Sequence, residues 1–175
     1  DQGRQKHTAC ALLSLAHPPA HDLPKQEMAR ARVTPQYWFV ECDHGNVPGK
    51  TPLLLWFNGG PGASSLTGLL AEKLGPQSIT PNGTLTDNPD RITKRYHLLT
   101  LDNPVGSGYS STASGAYVTT EAEVRTQAVQ ALRVFFDRHP EYRRNPFWVT
   151  GESYAGKYCL PWPANTTPAP AKHPF

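Results

Sequence analysis

The stretch "FWVTGESYAG", residues 147–156, predicts a β-strand that runs through a sharp turn into a helix. A serine on such a turn has its Oγ lifted above the sheet, and the crowded backbone then requires small residues two positions before and after it. Gly151 and Ala155 meet this requirement around Ser153. The same pattern also suits an ordinary strand-to-helix connection, so the turn alone leaves both interpretations open.

A second strand and turn are predicted by "LLLWFNGGPGASSL", residues 53–66. Its apolar run does not alternate, which indicates a strand buried on both faces, and the glycines break the run before "SSLTGLLAEKLG", residues 64–75, can start a helix. A tetrahedral intermediate needs backbone N–H donors that converge on its oxyanion. Together the two turns favour the catalytic interpretation, with Gly60 and Tyr154 as the candidate donors.

The remaining elements follow from local patterns. "YWFVEC", residues 37–42, predicts a strand joined in a hairpin-like way to the apolar run described above, and "YHLLTLDNPVGSGYS", residues 96–110, predicts another strand. Thr120 and Glu123 form a capping box at the start of a predicted helix over residues 121–138. Because strands alternate with helices, we expect an α/β fold with a mostly parallel sheet flanked by helices.

Composition restricts the possible partners and the domain organisation of the chain. The chain has 175 residues and a net charge of +3 from scattered Lys and Arg, so we expect no nucleic-acid partner. No apolar run reaches membrane-spanning length, so we expect no membrane span. Prolines concentrate at the two ends. We therefore expect a poorly ordered extension over residues 1–36, one domain portion over residues 37–161 and a proline-rich tail over residues 162–175.

The cysteines neither prove nor exclude an oxidising compartment, and other signals for secretion are mild. Cys10, Cys42 and Cys159 match no zinc template and leave at least one thiol unpaired, so no metal or cofactor is expected and their pairing stays open. The sequon Asn82-Gly83-Thr84 gives mild support for a secreted glycoprotein. The stretch "TACALLSLAH", residues 8–17, is compatible with a worn secretory signal or with an ordinary extension.

Three stretches in one order carry a family resemblance. "LLLWFNGGPGASSLTGLLAEKLGP" (residues 53–76), "LLTLDNPVGSGYS" (residues 98–110) and "FWVTGESYAGKY" (residues 147–158) resemble the serine carboxypeptidases of the carboxypeptidase Y and cathepsin A type. The resemblance covers residues 37–161 and corresponds to the N-terminal portion of an α/β-hydrolase domain. It implies removal of C-terminal amino acids from peptides or proteins through an acyl-enzyme.

The resemblance also implies roles for particular residues. It assigns the nucleophile to Ser153 and the oxyanion-hole N–H groups to Gly60 and Tyr154. The residues that would hold the terminal carboxylate of the substrate, or lie close to it, are Trp56, Asn58, Glu72 and Glu152. Two carboxyl groups can bind a third only if some of them are protonated, so binding is expected to favour acid pH.

Two departures from the family pattern stand out. Ala63 occupies the position where most members have a disulfide cysteine. In α/β-hydrolases the triad Asp and His follow the serine, yet no Asp or Glu follows Ser153 and the one later histidine is His173. His97 and His139 precede the serine, and structural or surface roles are expected for them. We therefore expect a fold truncated after the nucleophile turn, inactive and poorly soluble when expressed alone.

Three functions stay open at this point. The first is a serine-type carboxypeptidase present as a fragment, in the secretory pathway and hence vacuolar, lysosomal or extracellular. The second is a non-catalytic truncated relative or peptide-binding remnant. The third is a carboxypeptidase-like acyltransferase, in which an alcohol or amine intercepts the acyl-enzyme. The oligomeric state is not predicted.

Overall fold

The computed structural model describes residues 11–14, 33–113, 115 and 117–159. The strands within these ranges are β1 (Ala11–Ser14), β2 (Val33–Thr34), β3 (Gln36–Val40), β4 (Leu53–Phe57), β5 (Gln77–Ile79), β6 (Leu85–Asp87), β7 (His97–Leu101), β8 (Ser111–Thr112) and β9 (Phe147–Gly151). The α-helices are α1 (Leu66–Leu70), α2 (Glu121–Arg138) and α3 (Ala155–Tyr158), and short 3₁₀ helices cover Ile92–Lys94 and Pro140–Tyr142.

The predicted proline-rich tail, residues 162–175, and most of the predicted extension, residues 1–36, lie outside the described residues. Within the extension, β1 pairs antiparallel with β3, and β2 pairs antiparallel with β8. The extension therefore contributes an edge strand to the main sheet.

A five-stranded sheet in the order β1-β3-β7-β4-β9 forms the centre of the fold. β4 lies between β7 and β9 and is parallel to both. β3 is antiparallel to β7 and β1 is antiparallel to β3. Because β4, β7 and β9 point the same way, the loops that follow them meet at one edge of the sheet, here called the carboxyl edge; the opposite edge is the amino edge.

Each face of this sheet is covered by a different apolar cluster. In β3, Tyr37 and Phe39 pack with the residues of α2, whereas Trp38 and Val40 pack on the opposite side with Leu69 of α1. This alternation follows from the pleat, which sends successive side chains to opposite faces. Burial on both faces explains why the strands read as continuous apolar runs, as expected for the parallel part of an α/β sheet.

The predicted capping box of α2 is confirmed. The Thr120 side chain accepts a hydrogen bond from the Glu123 backbone N–H, and the Glu123 carboxylate accepts one from the Thr120 backbone N–H. The apolar residues of α2 that the sequence places three to four positions apart are buried against the sheet. No helix in the described part of the chain is both long and apolar enough to cross a membrane.

The predicted hairpin is wrong. β3 does not pair with β4, because β7 lies between them in the sheet. The turn after β3 instead leads the chain away at the amino edge, where the Asp43 N–H donates to the Thr93 carbonyl at 2.8 Å. The next strand along the chain, β4, is therefore not a neighbour of β3 in the sheet.

The helix after the glycine turn is also shorter than the stretch that predicted it. α1 ends at Leu70, and the N–H groups of Leu74 and Gly75 turn back to the carbonyls of Gly68 and Leu69 at 3.2 and 2.9 Å. Lys73 takes a positive φ of 62° in this reversal. Such a left-handed residue closes a helix and prevents the pattern from continuing.

Candidate active site

Ser153 lies on the turn that joins β9 to α3, at the carboxyl edge of the sheet. Its φ is +56°, in a region that residues with a Cβ rarely adopt, and the residue is exposed. The turn is closed by hydrogen bonds from the Ala155 and Gly156 N–H groups to the carbonyls of Glu152 and Ser153, at 3.0 and 3.1 Å. A strained, closed turn of this kind presents the serine hydroxyl outward.

The small residues on either side of Ser153 have a direct steric cause. A Cβ added at Gly151 would lie 2.7 Å from the Ala155 Cβ and 2.7 Å from the Phe57 carbonyl oxygen. Both distances are below van der Waals contact, so neither the helix α3 after the turn nor the neighbouring strand β4 leaves room for a side chain there.

The glycine turn after β4 packs against the serine turn. A Cβ added at Gly59 would lie 2.7 Å from the Tyr154 nitrogen and 2.8 Å from the Glu152 carbonyl oxygen. Gly60 follows at once with a φ of +99°, which favours glycine. The two residues predicted to supply backbone N–H donors therefore belong to turns that touch each other.

Trp56, Asn58 and Glu72 are joined in one hydrogen-bonded chain. The buried Asn58 side chain accepts from the Trp56 indole Nε1 at 2.8 Å and from the Gly68 N–H at 3.0 Å. Its Nδ2 donates to the Glu72 carboxylate at 2.7 Å. Glu72 itself is exposed, so Asn58 fixes one carboxylate oxygen while the rest of the group faces solvent.

Glu152 stands beside Ser153 with an exposed side chain. Its backbone N–H donates to the Phe57 carbonyl at 3.2 Å, which ties the serine turn to β4. The expected cooperation of the Glu152 and Glu72 carboxyl groups stays a prediction.

Sequence reasoning missed Asp102, the residue that follows β7 at the carboxyl edge. Its side chain is only 1% exposed and accepts hydrogen bonds from the Ser64 hydroxyl at 2.7 Å, the Ser65 N–H at 2.8 Å and the Tyr109 N–H at 2.8 Å. Burial raises the pKa of Asp102, and these hydrogen bonds oppose the rise. Asp102 thus holds the loops after β4 and β7 together. The sequence feature that could have identified Asp102 is a carboxylate directly after a predicted buried strand.

The buried histidine of the sheet lies far from Ser153. His97 begins β7 at the amino edge, its Nδ1 accepts from the Cys42 N–H at 3.0 Å and its Nε2 lies 3.2 Å from the Asn46 Oδ1. Burial lowers the pKa of His97. The imidazole ring of His139, at the end of α2, packs on the Phe135 ring with 4.9 Å between the ring centroids. These are the structural roles expected for both residues.

Metal ligation finds no support in the described ranges, where no group of three or more His, Cys, Asp or Glu side chains is arranged to hold an ion. The arrangement that is present consists of an exposed serine, two touching turns and an amide-bound carboxylate. Such groups can bind and attack a carbonyl carbon once a base is supplied.

The sequence is similar to those of known proteins. The sequence model of the family described as serine carboxypeptidase matches residues 30–163. The lysosomal protective protein of Mus musculus is 46% identical over 123 residues, which are 70% of this chain and 25% of that protein. Serine carboxypeptidase-like 26 of Arabidopsis thaliana is 42% identical over 125 residues, which are 70% of this chain and 28% of that protein.

The fold of the chain is also similar to that of a solved carboxypeptidase structure. Kex1(delta)p, a prohormone-processing carboxypeptidase from Saccharomyces cerevisiae, superposes with a TM-score of 0.67 at 29% identity, covering 80% of this chain and 30% of that one. The chain thus spans about a quarter of the length of the curated relatives described above. Its matched residues, their order and their α/β-hydrolase fold show that the chain belongs to the serine carboxypeptidase family.

Proposed function

We propose that this chain provides the nucleophile, the oxyanion hole and part of the carboxylate site of a serine-type carboxypeptidase. The observation that supports the proposal is the contact of Gly59 with the Ser153 turn, because the turn that carries Gly60 then touches the turn that carries Ser153 and Tyr154. Family membership supports the reaction class.

In the proposed reaction the Ser153 Oγ attacks the carbonyl carbon of the last peptide bond, and a base takes the hydroxyl proton. The N–H groups of Gly60 and Tyr154 stabilise the oxyanion. The C–N bond breaks as the base returns the proton to the leaving amine, and water then hydrolyses the ester on Ser153. In α/β-hydrolases the base follows the serine along the chain. The proposal therefore concerns the intact protein, with an imidazole that follows Ser153.

The terminal carboxylate of the substrate would lie against Asn58, Glu72 and Glu152. Asn58 is buried and holds Glu72 through its amide, so its position is fixed before a ligand arrives. Carboxyl groups can share a site with a carboxylate only when protons lie between them, so binding should strengthen as pH falls.

A location in the secretory pathway fits this activity. The mouse relative is called the lysosomal protective protein. The sequon at Asn82 lies in the exposed turn between β5 and β6, where an enzyme could reach it. We propose that Asn82 is glycosylated, and loss of a glycosidase-sensitive mass in Asn82→Gln tests this.

Release of C-terminal residues from blocked dipeptides, measured between pH 4 and 7 with the intact protein, tests the proposed function. Ser153→Ala should lower kcat by about 10⁴-fold or more, because covalent catalysis is lost. Ser111→Ala, which removes an exposed serine in β8, is the matched control and should keep full activity. Comparable turnover by Ser153→Ala would refute the nucleophile assignment.

The carboxylate site has its own test. Glu72→Gln and Glu152→Gln should change the pH dependence of KM for peptides more than that for blocked esters, which lack the same free carboxylate. Unchanged peptide profiles in both variants would remove the proposed acid pair.

A further inference from the structure

A cavity of about 220 Å³ lies beside the serine turn. Its apolar walls include Pro61, Pro104, Val118 and Val124. Pro61 directly follows Gly60, and Tyr154, which directly follows Ser153, also lines the cavity. The cavity therefore adjoins both halves of the proposed oxyanion hole.

The cavity lies apart from the proposed carboxylate site. Neither Asn58 nor Glu72 lines it, so the terminal carboxylate of the substrate would lie outside this cavity. A side chain on the other side of the scissile bond, in the residue that forms the ester with Ser153, is the one that would reach the cavity.

One carboxylate reaches the cavity. Glu121 is half-buried in the first turn of α2 and lines the cavity together with Tyr154 and Tyr158. Its Oε1 accepts a hydrogen bond from the Tyr154 hydroxyl at 2.5 Å. Its Oε2 is buried and accepts no hydrogen bond from the described residues. A buried carboxylate oxygen without a donor is costly, and a rotation of the Glu121 side chain that turns Oε2 towards a donor in the cavity would relieve that cost.

The charge of Glu121 acts on both tyrosines of the cavity. The hydrogen bond to Glu121 raises the pKa of Tyr154. Burial, with a smaller contribution from Glu121, raises the pKa of Tyr158 to about 12. None of the described lining residues has a cationic side chain, and Lys157 lies over the Tyr154 ring instead, with its Nζ 4.7 Å from the centroid.

The size and lining of the cavity restrict its occupant. Pockets for drug-sized ligands measure roughly 300 to 1,000 Å³, so this smaller space suits one side chain. Apolar walls with a carboxylate at one point match a long aliphatic stem with a cationic head. We propose that the cavity binds the Lys or Arg side chain of the acyl-donating residue, with Glu121 as the specificity-determining residue. This inference rests on the proposed function.

The first test compares two blocked dipeptides that differ only in the acyl-donating residue, Arg in one and its neutral analogue citrulline in the other. The intact protein should hydrolyse the Arg peptide with a kcat/KM roughly tenfold higher, as expected for one charged hydrogen bond. Glu121→Gln keeps the shape and the Tyr154 hydrogen bond but should abolish the preference.

Glu123→Gln is the matched control, because Glu123 carries the same charge at the same helix end but uses its carboxylate for the capping box. It should keep the Arg preference, since Gln also serves in a capping box. An equal rate for both peptides in the wild type, or a preference that survives in Glu121→Gln, would overturn the inference.

A binding measurement separates this inference from the proposed function. NMR titration with n-butylguanidinium and with n-butylurea should show saturable shifts of the Tyr154 ring signals and roughly tenfold tighter binding of the cation. Glu121→Gln should bind the two equally. Equal affinities in the wild type, or no saturable binding of either, would reject the subsite. Loss of turnover with retained cation binding would instead reject only the proposed function.

Discussion

The amino and carboxyl edges of the central sheet both carry polar side chains, but they differ in what those side chains contact. At the amino edge the fully buried His97 uses both ring nitrogens inside the protein, and Asn46 also accepts from the Asn145 amide at 2.7 Å. At the carboxyl edge Ser153 and Glu152 are exposed. Satisfied groups hold the chain together, whereas exposed groups at the ends of parallel strands are available to a ligand.

The carboxyl edge itself has two layers. Asp102 and Asn58, which directly follow β7 and β4, are buried and hydrogen bonded and form the lower layer, whereas the exposed Ser153 and Glu152 form the upper layer. This lower layer resembles the amino edge in its burial and its paired groups. The comparison therefore predicts that substitutions in the lower layer and at the amino edge alter stability, while substitutions at the contact of the two turns alter activity.

The largest effect is expected at the contact between the turns. Gly59→Ala places a methyl group 2.7 Å from the Tyr154 nitrogen, so the serine turn must shift. A misplacement of this kind should lower kcat by roughly 10²-fold. Gly156→Ala is the matched control, since a Cβ there meets nothing within 4 Å and alanine favours the helix. Similar activities for the two variants would show that the contact between the turns does not position the catalytic groups.

A smaller effect is expected in the lower layer. Asp102→Asn replaces an acceptor of the Tyr109 N–H by an amide and should reduce the free energy of unfolding by about 2 kcal/mol. Ser64→Ala removes one donor from the same carboxylate and should cost about 1 kcal/mol. Urea unfolding with an unchanged m-value measures both. Wild-type stability of Asp102→Asn would show that the two loops are held by other contacts.

The smallest effect concerns pH at the amino edge. Burial holds the pKa of His97 below its ordinary value of 6.5, so the unfolded chain binds the proton more readily than the folded one. The stability that His97 contributes is therefore complete above pH 6.5 and is lost as pH falls through the lowered pKa. The slope contributed is at most about 1.4 kcal/mol per pH unit.

Urea unfolding at pH 8 and pH 5 checks this slope. His97→Gln should be less stable than the wild type at pH 8 yet lose less stability on acidification. The same loss in both proteins would assign the acid sensitivity to other groups.

Local signals were sufficient for much of the fold. The capping box of α2 and the strand, turn and helix around Ser153 depend on residues close in sequence, and the structure has them where they were predicted. The pairing of β3 with β7 could not be predicted from local patterns. Its partner β7 comes later along the chain than β4, and contacts of long sequence separation leave no local pattern.

The site was predictable to a similar extent. The touching turns follow from glycines and a serine in one order, whereas Asp102 and Glu121 were missed. The role of a single carboxylate depends on the groups that contact it. For Asp102 these include Ser64 and Tyr109, and for Glu121 the partner is Tyr154. These partners lie on separate segments of the chain, so spacing alone does not reveal them.

Covalent labelling tests whether Ser153 is the activated nucleophile of the site. The intact protein is treated with a fluorophosphonate, which modifies activated serines, and the site is located by peptide mass spectrometry. We expect a single stoichiometric adduct on Ser153 and a much slower reaction in Gly59→Ala, because the oxyanion donors are then displaced. An adduct on a different serine, or peptide turnover that persists with Ser153 unlabelled, would contradict the account.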